Sequence, residues 1–134
     1  MPTQQEHVPV ILVVDDDSVL SLAIERYLSA ITKGYYEIIH VTDGSRALAV
    51  MEQRHVPLVI TDYHLLSSIN GLKLTSKIRQ RSHDTRVVLI TAYATPEVEQ
   101  AAAVEGVDFY LPKPFLLQDL EQVVRKVLTL PPRL

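Results

Sequence analysis

Two rhythms of apolar residues alternate along this chain. Val10–Val14 (VILVV) is a continuous apolar run, too short and too rich in β-branched residues for a buried helix, and it reads as a central strand. Behind it, SVLSLAIERYLSAI sets Leu20, Ile24, Tyr27, Leu28 and Ile31 on one side of a 3.6-residue period, the mark of an amphipathic helix. TKGYYE breaks that helix, and YEIIHVT is a second strand. DGSRALAVMEQRHV predicts a helix with Asp43 placed to cap it, and PLVITD a third strand. NGLKLTSKIRQRS and TRVVLITA continue as helix and strand. TPEVEQAAAVEG carries a capping Thr95, Pro96 at the first helical position, early glutamates and a terminating Gly106. VDFYLP is the fifth strand, and FLLQDLEQVVRKVLTL the last helix, stopped by Pro131 and Pro132. Asn70-Gly71 and Asp43-Gly44 are hairpin-type dipeptides, but helical periodicity follows each, which excludes a tight hairpin.

Five such βα units demand an α/β fold: a single, mostly parallel, doubly wound sheet of five strands with five helices on its two faces. Ligands of such sheets sit at the carboxyl ends of the strands. There the first strand delivers Asp15, Asp16 and Asp17, the third Asp62, the fourth Thr91, and the fifth runs out at Lys113. Acids at a strand exit often only cap the next helix, and for Asp17, just before the helix, a cap is the simpler reading. Asp15, Asp16 or Asp62 taken singly would be divided between cap, solvent and function. Their joint placement with a hydroxyl and an ammonium decides for function. Clustered carboxylates raise one another's pKa unless a cation joins them. Mg²⁺ is held by such carboxylates together with water and phosphate oxygens. Lys113 and the Thr91 hydroxyl would then be donors to the remaining phosphoryl oxygens.

The totals fit this picture. The 134 residues are 47% apolar and 22% charged, enough for one domain with a substantial core. A net charge of −3 argues against a nucleic-acid surface. The absence of cysteine excludes disulfides and thiolate metal sites, and suits a reducing compartment. No apolar run approaches a membrane span, and MPTQQEHVP lacks the basic start and apolar stretch of a secretion signal, so the expected location is cytoplasmic. His7, His40, His55 and His83 show no metal-ligand spacing and are assigned no metal role.

ILVVDDD, LVITDYHL, VVLITAY and GVDFYLPKPF, in this order and spacing, resemble the receiver domains of two-component response regulators over residues 8–130. The resemblance implies a flavodoxin-like sheet of order 2-1-3-4-5, with 1–7 a flexible tail and 131–134 a tail or the start of a linker. It implies Asp62 as phosphoryl acceptor, with Mg²⁺ held by Asp16, by Asp15 largely through water, by Asp62 itself and by the backbone carbonyl of His64. Lys113 would pair with the phosphoryl group, Thr91 would move to contact it, and Tyr110 would be the aromatic that swings between outward and inward rotamers. The Lys113–Pro114 peptide is expected to be cis. The implied partners are a sensor histidine kinase or histidine phosphotransfer protein, a downstream effector or output domain, and a second copy through the face of the fourth helix, fifth strand and fifth helix. No direct nucleic-acid or membrane contact is implied for this domain. It would be a signalling switch that catalyses its own phosphorylation and dephosphorylation, rather than a turnover enzyme.

DYHLLSSING departs from the family pattern. Leu66 stands where a proline is usual, and Gly71 falls nine residues after Asp62 instead of eight, so the loop carries one extra residue. A harmless bulge is the simpler reading, and altered kinase docking or access to Asp62 the functional one. His64 and Tyr93 flank the acceptor and switch positions, where bulk would slow attack by water. Two other functions stay open. A pseudo-receiver would bind partners without phosphorylation. A Mg²⁺-dependent phosphatase with an aspartate nucleophile would use Asp-x-Asp of the first strand, although Ser18 follows where such enzymes usually continue Gly-Thr.

Overall fold

The computed structural model describes residues 8–65 and 69–131. Leu66, in the usual proline position, and the expected N-terminal tail lie outside them. The elements alternate as expected: β1 (Val10–Val14), α1 (Ser18–Thr32), β2 (Glu37–Val41), α2 (Gly44–Gln53), β3 (Leu58–Asp62), α3 (Gly71–Arg81), β4 (Arg86–Thr91), α4 (Pro96–Glu105), β5 (Phe109–Pro112) and α5 (Leu117–Val127). All strand pairs are parallel and the sheet order is β2-β1-β3-β4-β5.

Alternation along the buried strands divides the core in two. Ile11 and Val13 of β1 join Ile60, Val88 and Ile90 against Ile24 and Leu28 of α1 and Leu120 and Val124 of α5. Val10, Leu12 and Val14 point the other way, to Val59 and Val87 and to Ala47 of α2 and Leu74 and Ile78 of α3. Each such valine, leucine or isoleucine, fully withdrawn from water, contributes about 1.5–3 kcal/mol. Helices on both faces leave the sheet's carboxyl edge as the place where polar groups can gather.

Local chemistry sets the helix starts. Asp17 accepts from the Val19 and Leu20 amides at 3.1 and 3.2 Å, Asp43 from Arg46 at 2.9 Å, Asn70 from Lys73 at 2.8 Å and Thr95 from Val98 at 3.2 Å. Gly106 ends α4 with φ of 92°, a left-handed cap that disfavours any side chain. Helix α5 departs from the expected span. It starts at Leu117, where the Asp119 carboxylate accepts from the Leu116 amide, and it stops at Val127 rather than running on to the prolines. Leu128 is extended because it and Leu130 pack back onto the core, while Arg125 donates to the Pro131 carbonyl at 2.9 Å. Tertiary packing ends this helix before proline does.

Candidate functional site

The three consecutive acids after β1 separate by direction. Asp17 turns outward to cap α1. Asp15 turns inward, only 2% exposed; its Oδ1 accepts from the Asp17 amide at 2.8 Å, and its own amide donates to the Val41 carbonyl at 3.1 Å. Asp16, half-buried, faces the same pocket: a carboxylate oxygen from each of Asp15, Asp16 and Asp62 lies within 4.8 Å of the others. Asp62 is the last residue of β3 and 7% exposed. Its Oδ2 accepts from Lys113 Nζ at 2.9 Å and its Oδ1 from the His64 amide at 3.3 Å. His64 therefore touches the acid through its N–H, and its side chain is exposed.

Thr91 ends β4 fully buried, and its hydroxyl oxygen accepts from the Tyr93 amide at 2.9 Å. The Thr91 carbonyl accepts from the Lys113 amide at 2.8 Å, which pins the start of the β5–α5 loop to the same edge. The Lys113–Pro114 peptide is cis. Tyr110 of β5 donates its hydroxyl to the Tyr93 carbonyl at 3.4 Å, and burial together with the nearby charge of Glu99 raises its phenol pKa. Thr91, Tyr93 and Tyr110 thus form one hydrogen-bonded chain leading from the acid pocket to the outer strand. The rings of His64 and Tyr93 meet edge to face at 5.0 Å, and Tyr63 meets His64 at 4.9 Å, so aromatic contacts join the segments following β3 and β4.

The electrostatics are unbalanced. Burial is the largest force raising the Asp15 pKa and the charge of Asp62 adds to it, against the opposing Asp17 amide and Lys113. At Lys113 burial works against the ammonium, yet the hydrogen bond and charge of Asp62, with Asp15 and Asp17 behind it, leave its pKa raised. One ammonium therefore stands beside the three clustered carboxylates. Three carboxylates that can each bring an oxygen within 4.8 Å of the others, with one ammonium beside them, are hard donors that fit a small divalent cation such as Mg²⁺.

The start of α3 lies flush against the end of β3. The Gly71 amide donates to the Tyr63 carbonyl at 2.8 Å, and a Cβ on Gly71 would collide with the Asp62 carbonyl oxygen and lie 2.8 Å from Leu89 Cδ1. Only glycine admits this approach of α3 to the end of β3. Sequence reasoning missed one neighbour of the acids. His40 on β2 approaches the backbone carbonyl of Asp15 at 2.7 Å through Nε2. It belongs to no motif, and only the register that sets it opposite Val13 exposes it.

The chain is similar to known proteins in both sequence and fold. Residues 11–125 match the family described as response regulator receiver domain. The response regulator RppA of Synechocystis sp. is 35% identical over 112 residues, which are 82% of this chain and 46% of that protein. The chain spans about half the length of the curated relatives it matches. Among solved structures, the chemotaxis protein CheY4 of Vibrio cholerae superposes with a TM-score of 0.80 at 25% identity, over 90% of this chain and 99% of that one. The response regulator TrrA of Thermotoga maritima, solved in complex with Mg²⁺-BeF, gives a TM-score of 0.77 at 30% identity, over 90% and 99% of the two chains.

Proposed function

This chain belongs to the response regulator receiver domain family, and from that premise we propose that Asp62 is the acceptor of a two-component phosphorelay. The observation that carries the reading is the convergence of Asp15, Asp16, Asp62 and Lys113 from three strand ends into one pocket. Phosphoryl transfer asks a protein mainly for positioning and charge neutralisation. Mg²⁺ bound by Asp15, Asp16, Asp62 and the His64 carbonyl would supply positive charge to the phosphoryl oxygens. The complex recorded for TrrA supports that composition of the site.

In the reaction, a carboxylate oxygen of Asp62 attacks the phosphorus carried by a histidine of a sensor kinase or phosphotransfer protein. The phosphorus–nitrogen bond breaks, its electron pair stays on the imidazole, and Asp62 becomes an acyl phosphate. Lys113 Nζ, already 2.9 Å from Asp62, stays paired with the charge that arrives. The product adds roughly −1.5 to −2 of charge and new acceptor oxygens. The Thr91 hydroxyl serves Tyr93 only as an acceptor, so its proton is available to a phosphoryl oxygen. Movement of Thr91 toward that oxygen draws on the Tyr93 amide and loosens the 3.4 Å bond from Tyr110, releasing the tyrosine to turn inward. The α4-β5-α5 face is remodelled by differential contacts of this kind.

The receiver unit occupies residues 8–130 and works in the cytoplasm as a signalling module that catalyses its own phosphorylation and dephosphorylation. Its partners are the kinase or phosphotransfer protein, an effector or output domain, and a second copy through α4-β5-α5, without direct contact to nucleic acid or membrane. No helix among the described residues is long and apolar enough to cross a membrane. Incubation with acetyl phosphate and Mg²⁺, followed by peptide mapping, tests the assignment. One phosphoryl group should appear on the peptide holding Asp62, and none in Asp62→Asn or with EDTA. An unlabelled wild-type chain would return the pseudo-receiver reading, and a label elsewhere would refute Asp62.

A further inference from the structure

The backbone carbonyl of Asp15 lies just past the end of the β1–β2 ladder. The last regular pair is Val14 with Val41, and the last backbone bond runs from the Asp15 amide to the Val41 carbonyl. In a continued parallel ladder the Asp15 carbonyl would accept from the amide two residues beyond Val41. That residue, Asp43, is instead the N-cap of α2. Asp15 is only 2% exposed, so its carbonyl needs another donor. His40 supplies it: Nε2 lies 2.7 Å away, and because a carbonyl can only accept, Nε2 carries the hydrogen.

This bond fixes more than a carbonyl. The Asp15 carbonyl and the Asp16 amide belong to one rigid peptide plane, so holding the oxygen restrains the rotation that aims Asp16. Asp15 is then held at three points: its amide by Val41, its carbonyl by His40 and its Oδ1 by the Asp17 amide. Two adjacent carboxylates that repel each other and Asp62 would otherwise swing apart by rotating this peptide.

We infer that His40 is a positioning residue of the acid pocket, holding the Asp15–Asp16 peptide so that both carboxylates face Asp62 before a cation arrives. The inference rests on the reading of the pocket as a Mg²⁺ site. Groups one shell out from a metal's ligands typically change its affinity by roughly 10–100-fold. An unrestrained peptide plane places His40 at the lower end of that range.

Three substitutions separate the hydrogen bond from simple packing. His40→Phe keeps a ring without a donor, His40→Gln restores an N–H near the position of Nε2, and His40→Ala removes both. Mg²⁺ dissociation constants come from calorimetric titration, and the thermal midpoints and amide exchange rates from the metal-free proteins. His40→Phe and His40→Ala should bind Mg²⁺ about tenfold more weakly, with His40→Gln close to wild type. In the metal-free proteins the Asp17 amide, held by Asp15 Oδ1, should exchange faster in Phe and Ala while the Val13 and Val14 amides keep their protection. Equal Mg²⁺ affinity in wild type and His40→Phe, whatever happens to the thermal midpoint, would overturn the inference. A wild-type protein that takes up no Mg²⁺ would overturn the phosphorelay reading and the metal half of this inference. Unchanged Asp17 exchange in His40→Phe would overturn the positioning half independently.

Discussion

Replacing Asp15 by Asn should stabilise the metal-free protein and at the same time remove its stabilisation by Mg²⁺. Asn keeps the size of the side chain and an oxygen for the Asp17 amide, now 2.8 Å from Asp15 Oδ1, so the change is nearly pure charge. Carboxylate oxygens no more than 4.8 Å apart, at an effective dielectric constant of about 20, repel by about 3.5 kcal/mol or more. Burial of the charge adds to this, while the hydrogen bond from the Asp17 amide, stronger to a carboxylate than to an amide oxygen, and attraction to Lys113 offset part of it. A net gain of about 1–2 kcal/mol follows, or about 4–8 °C in thermal midpoint for a chain of this size. The sign follows from linkage. Burial and the charge of Asp62 raise the Asp15 pKa on folding, so its carboxyl favours the folded state at low pH. That contribution is lost as pH rises from the ordinary aspartate value through the raised one. The advantage of Asp15→Asn should therefore be absent in acid and open as pH climbs through that window. Mg²⁺ at a hundred times its dissociation constant adds about 2.7 kcal/mol to wild type and much less to Asp15→Asn, so the order of the two midpoints reverses. Thermal unfolding followed by circular dichroism, across pH with EDTA or Mg²⁺, measures all of this. An Asp15→Asn protein less stable than wild type in EDTA at neutral pH would refute the electrostatic reasoning.

Gly71→Ala should cost about 2–3 kcal/mol in urea unfolding, because its Cβ meets the backbone oxygen of Asp62 and the Leu89 side chain. It should also slow labelling of Asp62; an unchanged midpoint would show that the α3 start can shift freely. His64→Ala and Tyr93→Ala each dismantle the edge-to-face contact between the segments after β3 and β4, and should shorten the phosphorylated lifetime severalfold without changing Mg²⁺ affinity. Loss of label followed by gel mobility or intact mass checks this, and unchanged decay in both variants would contradict it.

The strands, the helices and the polar edge were legible because each rests on local signals: a five-residue apolar run, a capping acid, a helical period. Asp17 was legible as a cap for the same reason, since the competition between pocket and helix start is settled within three residues. The misplaced end of α5 was not, because the pull on Leu128 and Leu130 comes from a core assembled from the whole chain. His40 was invisible for a related reason. Its partner lies 25 residues away, across a strand register that no short motif encodes. The need for glycine at 71 was not legible, because the Asp62 carbonyl meets that position only once β3 and α3 are packed together.

The central claim is that these acids form a Mg²⁺-dependent phosphoryl site centred on Asp62. Fluorine NMR of the protein with beryllofluoride tests it most directly, because this phosphoryl mimic reports binding without waiting for a kinase. Bound fluorine signals should appear only when Mg²⁺ is present and should vanish in Asp62→Asn. Bound signals that persist with EDTA or in Asp62→Asn, or no bound signal from wild type with Mg²⁺, would contradict the account.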